Sequence, residues 1–118
     1  MDIYTDAAVM RIYLQESERY HHKALYEALI EAAREAGLSG ATVLRGIRGF
    51  GLSSKILSSR ILDLASDLPI VVQIIDRRER VEAFLVRVRE LLDEVNSGAL
   101  VTLDPSRVVR YPTGDGEG

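Results

Sequence analysis

The stretch PIVVQIIDRRERVEAFLVRVRELLDEV, residues 69–95, changes its hydrophobic period midway. Its first seven residues are almost wholly apolar and rich in β-branched side chains, the composition of a buried strand. Behind them Val81, Phe84, Leu85, Val88, Leu91, Leu92 and Val95 recur at spacings of three and four, which places them on one stripe of a helix. Asp76 with Glu79 reads as a capping box, the Asp accepting from backbone N–H groups and the Glu reaching back. Both faces of the strand are apolar: Val71 and Ile75 oppose Ile70, Val72 and Ile74. Helices on one side cannot cover both faces, so the second face is expected to be buried by association.

Before this stretch, AAVMRIYL (7–14) alternates as a strand, with Met10, Ile12 and Leu14 on one face and Val9, Arg11 and Tyr13 on the other. YHHKALYEALIEAAREAG (20–37) reads as a helix carrying Leu25, Leu29, Ala32 and Ala36 on one side, with Gly37 as its left-handed terminator. GATVLRGI (40–47) and ALVTL (99–103) read as further strands, and RVVRY (107–111) either extends the last one or lies beside it. The order β-α-β-β-α-β predicts an α+β, ferredoxin-like fold: an antiparallel sheet with two helices on one face. Residues 1–111 are expected to form one domain, and PTGDGEG (112–118), with nothing to bury, a mobile tail.

With 118 residues and a net charge of −3, the chain does not suit a dedicated nucleic-acid binder, whose domain is usually basic. The absence of cysteine excludes disulfides, thiolate metal sites and thiol nucleophiles. No apolar run reaches the roughly 18 residues needed to span a bilayer, and MDIYTDAAVM lacks the basic start of a signal peptide. A cytoplasmic location is the expectation.

The connection over residues 48–67 is longer than a hairpin needs, and connections of that length are usually functional or disordered. Its segment LSSKILSSRILDL is predicted as a short helix or, through RILDL, as an extension of the hairpin. A flap that only covers the sheet edge is the plainer alternative. The glycines that open it, GIRGFG (46–51), have the spacing G-x-x-G-x-G, so neither a dinucleotide fingerprint nor a Walker loop fits. RGFG (48–51) matches the start of an RNA-recognition motif, yet it continues Leu52-Ser53-Ser54-Lys55 without the second stacking aromatic.

The run ESERYHHKALYEALIEAAREAGLSGATVLRGIRGFG (16–51), then DLPIVVQIID (67–76) and ALVTL (99–103), resembles the PII-like family known as domain of unknown function 190. The resemblance implies a non-enzymatic signalling protein: a homotrimer with inward-facing sheets and no required cofactor. An adenine nucleotide (AMP, ADP or ATP) or another small anion would sit in each inter-subunit cleft. It implies that Thr42 lines that cleft, that Gly49, Phe50 and Gly51 form the base of a T-loop, and that Gly98 stands in a B-loop position. Arg107 and Arg110 would meet phosphate. The loop, through Leu52, Lys55 and Arg60, would bind a protein partner such as a membrane transporter or channel. VNSGALV (95–101) departs from the PII B-loop by offering one glycine and no lysine, so a mono- or diphosphate suits it as well as ATP. The loop also lacks the tyrosine that PII proteins modify and any histidine for a metal. Two other readings stand beside this one: a ligand-free structural or interaction module, and an RNA binder.

His21 and His22 are adjacent, so on a helix they point about 100° apart and do not converge on a metal; they read as solvent-facing residues at a helix start. Glu16 and Glu18 near that start are explained by the helix dipole. Gln73, polar within an apolar strand, is expected to hydrogen-bond in a core or cleft. No Ser/His/Asp set or carboxylate pair stands out, and no catalytic residue is assigned.

Overall fold

The computed structural model describes residues 5–50 and 67–111. The expectations for Gly51, Leu52, Lys55 and Arg60, for the conformation of 51–66 and for the tail 112–118 lie outside those residues. Among the described residues six strands and two helices follow one another: β1 (Thr5–Gln15), β2 (Arg19–Tyr20), β3 (Lys23–Ala24), α1 (Leu25–Glu35), β4 (Ala41–Arg45), β5 (Pro69–Arg77), α2 (Arg78–Glu94) and β6 (Leu100–Val108). The four long strands form one antiparallel sheet in the order β4-β5-β1-β6, as expected for the ferredoxin-like plan.

Strand register sorts the side chains into rows that cross the whole sheet. Val43, Val72, Ile12 and Val101 form one row, and Ala41, Ile74, Met10 and Leu103 another, both on the helix side. Met10, Ile12, Val72 and Ile74 are wholly buried there against Leu25 and Leu29 of α1 and Val81, Phe84, Val88 and Leu91 of α2. The two apolar stripes read from the sequence thus meet the even-numbered residues of β1 and β5, and this is the core. The opposite face carries the row Leu44–Val71–Tyr13–Leu100, in which Leu44 is 50%, Tyr13 40% and Leu100 42% exposed.

Two sequence expectations need correction. The helix predicted from residue 20 begins at Leu25, because residues 19–24 form the small hairpin β2-β3, with Arg19 opposite Ala24 and Tyr20 opposite Lys23. His21 occupies its turn at φ +57°, so the two histidines are turn residues and not a helix start. Tyr20 Oη donates to Glu94 Oε1 at 2.7 Å and His21 Nε2 lies 2.8 Å from Glu94 Oε2, which ties the hairpin to the end of α2. These contacts, Tyr20 first, hold the Glu94 carboxyl below its ordinary pKa. The second correction concerns Asp76. The N-cap position of α2 is Arg77, without a side-chain cap, and Asp76 instead turns inward, 3% exposed. Its Oδ2 accepts the Ser39 N–H at 2.9 Å and its Oδ1 the Arg77 N–H at 2.7 Å, with Arg80 Nε 3.6 Å from Oδ2. One of these bonds stays at the start of α2, and the other joins it to the segment before β4.

Helix ends follow the expected chemistry. Gly37, at φ +76°, closes α1: its N–H bonds Arg34 O and the next N–H, of Leu38, bonds Ala33 O, the paired bonds of a Schellman stop. Asn96, at φ +54°, does the same for α2. At the far end of β4 the Gly46 N–H donates to Pro69 O at 2.7 Å, and a side chain at Gly46 would bring a Cβ within 2.8 Å of Pro69 Cγ. The stem of the long connection is therefore closed by backbone approach. Asp67 secures it further, accepting the Ser17 N–H at 3.0 Å and Gln15 Nε2 at 3.3 Å.

Gly37→Ala is expected to lower unfolding stability by about 1 kcal/mol, since alanine pays the left-handed penalty while its Cβ meets only Arg80 Nη2 at 3.6 Å. Asp76→Ala removes the acceptor for two backbone N–H groups and should cost on the order of 1–3 kcal/mol. Urea denaturation checks both: an unchanged midpoint would contradict the left-handed penalty at Gly37 in the first variant and the Asp76 bonds in the second.

Candidate functional site

A polar row interrupts the apolar face of the sheet. Register places Thr42, Gln73, Arg11 and Thr102 side by side across β4, β5, β1 and β6. Arg11 Nε donates to Gln73 Oε1 at 3.0 Å, and Arg11 Nη1 lies 3.4 Å from Asp104 Oδ2. The first of these bonds occupies the carbonyl end of Gln73, whose amide N–H groups donate to no described residue.

The β4-β5 end of this row opens into a cleft of about 360 Å³. Thr42, Gln73 and Ile75 line it from the strands, and Ser39, Gly40 and Ala41 from the start of β4. Val108, Arg110 and Tyr111 complete it. Since β6 is at the opposite edge from β4, the chain after Val108 must pass over the sheet end to line the same cavity as Thr42. Asp76 holds the wall formed by Ser39 through the backbone bond described above, and Ser39 Oγ donates to Ile75 O at 3.1 Å. Arg80 reinforces the same connection by donating to Gly37 O.

Several residues that line this cleft carry polar groups without a partner among the described residues. Neither the Thr42 hydroxyl nor the Arg110 guanidinium hydrogen-bonds or ion-pairs with a described residue. Tyr111 Oη is the one buried side-chain oxygen or nitrogen among the described residues that has no hydrogen-bond partner. Burial, and after it the nearby Asp76 carboxylate, raises the Tyr111 pKa, so the phenol is held protonated. An apolar wall at Ile75 and Val108, neutral donors and acceptors, and one cation suit a small molecule with an anionic end. Among the described residues no group of three His, Asp or Glu side chains is arranged for a metal, and no helix is long and apolar enough to cross a membrane.

Of the residues singled out from the sequence, the cleft brings together Thr42, Gln73 and Arg110. Gly49 and Phe50 follow the other end of β4, where Gly49 lies beside Pro69 and Phe50 is 89% exposed. Gly98 precedes β6, next to Ser97, whose Oγ donates to Glu18 Oε1 at 2.6 Å. Arg107 stands on β6 opposite Asp6. Within one chain these four do not reach the cleft. Sequence reasoning missed Ser39, Ile75, Val108 and Tyr111 as lining residues. The only signal for Tyr111 was an aromatic placed directly after an arginine beyond a strand end.

A model of the DUF190 family, described as Uncharacterized ACR, COG1993, matches residues 7–108. A UPF0166 protein of Aquifex aeolicus is 37% identical over 101 residues, covering 86% of this chain and 91% of that protein. Another, from Methanocaldococcus jannaschii, is 28% identical over 98 residues, covering 83% and 88%. Among solved structures, CPII from Thiomonas intermedia K12, a nitrogen regulatory PII-like protein bound to ADP, AMP and bicarbonate, superposes with a TM-score of 0.64 at 16% identity, covering 91% of this chain and 92% of that one. A putative PII-like signaling protein from Thermus thermophilus gives 0.64 at 21% identity, covering 95% and 100%. The fold is thus PII-like, and with a family match from β1 to the end of β6 the chain belongs to the DUF190 family.

Proposed function

We propose that this protein is a non-enzymatic, PII-like regulatory protein. In this reading it binds an adenine nucleotide or a similar small anion in the cleft beside Thr42, with no cofactor required. The observation that carries the reading is the gathering of unengaged polar groups, Thr42, the Gln73 amide, Arg110 and Tyr111, around one cavity. The resemblance to CPII, whose structure holds ADP and AMP, supports the choice of nucleotide. Arg110 is the phosphate contact, a planar fork suited to bidentate binding. Ile75 and Val108 offer the apolar wall.

The reading includes a homotrimer. The exposed row Leu44–Val71–Tyr13–Leu100 runs across all four strands, and other copies of the chain would cover it. A neighbouring copy would then supply what one chain leaves apart: Gly98 and Arg107 from one side, Gly49, Phe50 and Gly51 from the other. Ligand binding would be relayed through residues 48–67, with Leu52, Lys55 and Arg60 meeting a protein partner such as a membrane transporter or channel. This would take place in the cytoplasm, where adenine nucleotides are abundant.

Isothermal calorimetry with AMP, ADP and ATP tests the ligand. Saturable binding of at least one is expected, weakened roughly tenfold or more in Arg110→Ala by loss of a charge-assisted bond. Heats indistinguishable from dilution for all three at millimolar concentration would remove the nucleotide and favour the ligand-free module. Light scattering tests the assembly. The expected mass is three times the 13.1 kDa of one chain, falling to that of one chain in Tyr13→Asp, which places a charge in the centre of the apolar row. A monomeric native protein would overturn the trimer.

A further inference from the structure

The open face of the sheet is not uniform. The row Leu44–Val71–Tyr13–Leu100 is apolar, the next row, Thr42–Gln73–Arg11–Thr102, is polar, and Asp104 lies one step further along β6. Arg11 and Asp104 are the charged residues in the interior of this face, while Arg77 stands at its end, on the last residue of β5. The Arg11 side chain is 36% exposed, so association through this face would bury it further. Apolar contact is non-directional, and two copies meeting through the Tyr13 row alone have several registers open to them. A fully apolar face would associate at least as well, so burial alone does not account for an arginine in the middle of β1.

We propose that Arg11 is the specificity-determining residue of self-association, admitting one register between copies of this chain and disfavouring the others, an inference that rests on the homotrimer proposed above. Two of the five N–H donors of Arg11 are engaged, one by Gln73 Oε1 at 3.0 Å and one by Asp104 Oδ2 at 3.4 Å. The other three donate to no described residue, and Asp104 Oδ1 accepts from none. One face thus presents free donors beside a free carboxylate oxygen, and its complement is a copy of itself. A surface of one sign would call for a partner of the opposite sign. Where the polar row of one copy meets that of the next, the guanidinium finds acceptors while the Tyr13 row is buried. A slipped register sets it against Tyr13, Val71 or Leu100, with its donors in an apolar setting, which is strongly unfavourable. A buried polar group used in this way fixes the state of an assembly and lowers its stability.

Sedimentation velocity on the full chain, native and Arg11→Leu, over a range of protein concentrations reads the distribution of assembly masses. The native protein is expected as a single species of three times the 13.1 kDa of one chain. Arg11→Leu should stay associated, with an unchanged or higher melting temperature, yet lose the single peak and spread over two or more masses. A sharp trimer in the variant means that apolar shape alone sets the register, and overturns the assignment. A monomeric variant makes Arg11 a source of affinity and overturns it too. A role confined to one chain, through Gln73 and Asp104, would lower the melting temperature and leave the mass distribution as in the native protein, again against the assignment. Arg11→Gln keeps a hydrogen-bonding side chain without the charge or the reach to Asp104. It should redistribute in the same way, and it decides the matter if the leucine variant precipitates or fails to fold. Native protein that is monomeric at every concentration removes the homotrimer and this assignment with it, an outcome distinct from a native trimer whose variants stay sharp.

Discussion

Everything in this fold hangs on β1, which is paired along nine residues with β5 on one edge and along nine with β6 on the other. A strand held on both edges has no freedom of register, because a slip of one residue would turn Met10 and Ile12 out of the core and Arg11 and Tyr13 into it. The pairing therefore settles at once which residues of β5 and β6 face the helices and which face away. It sets Ile12 beside Val72 and Tyr13 beside Val71, so the core and the open apolar row are two consequences of one register.

The same register places the cleft. Arg11, in the middle of β1, faces away from the helices and draws a polar row across an otherwise apolar surface, with Gln73 and Thr42 on one side and Thr102 on the other. A guanidinium there needs acceptors, and the Gln73 carbonyl and Asp104 provide them. Where the row reaches the edge strand it runs out of partners of its own. The connection from α1 and the residues just after β6, Arg110 and Tyr111, close around it, and the open donors and acceptors of the cavity are those the sheet could not pair internally.

Asp76 connects this site to the rest of the molecule. Its carboxylate is buried at the β5-α2 junction, yet one of its oxygens reaches the backbone of Ser39 in the cleft wall. The Gly37 turn, the Asp76 carboxylate and Arg80 form one assembly that carries the geometry of α2 into the β4 start. At the other end of the sheet, Asp67 and the Gly46–Pro69 bond clamp the stem of the long connection. The two ends of β4 are thus held by separate devices, one at the cavity and one at the stem of the loop.

Local sequence was enough to establish the main elements, the two-sided apolar character of the sheet and the family, because periodicity and turn chemistry are properties of neighbouring residues. Gly37 was legible as a helix stop, since only its own φ and the adjacent helix were involved. The PII-like likeness was legible from GATVLRGIRGFG (40–51) and the strand at 69–75, motifs that are local too. Asp76 was misread for the opposite reason: its carboxylate serves an N–H 37 residues earlier, and local spacing offered a nearer partner. Residues 20–24 of the small hairpin were misread as helix, as its pairing and the Glu94 contacts 73 and 74 residues away outweighed the helical neighbourhood. It took the folded chain to bring Thr42 and Arg110 to one cavity, to keep Gly98 and Arg107 away from it within one chain, and to leave Tyr111 with a buried, unpaired hydroxyl. These depend on strand order and on where residues 109–111 run after β6, which no local pattern in the sequence encodes.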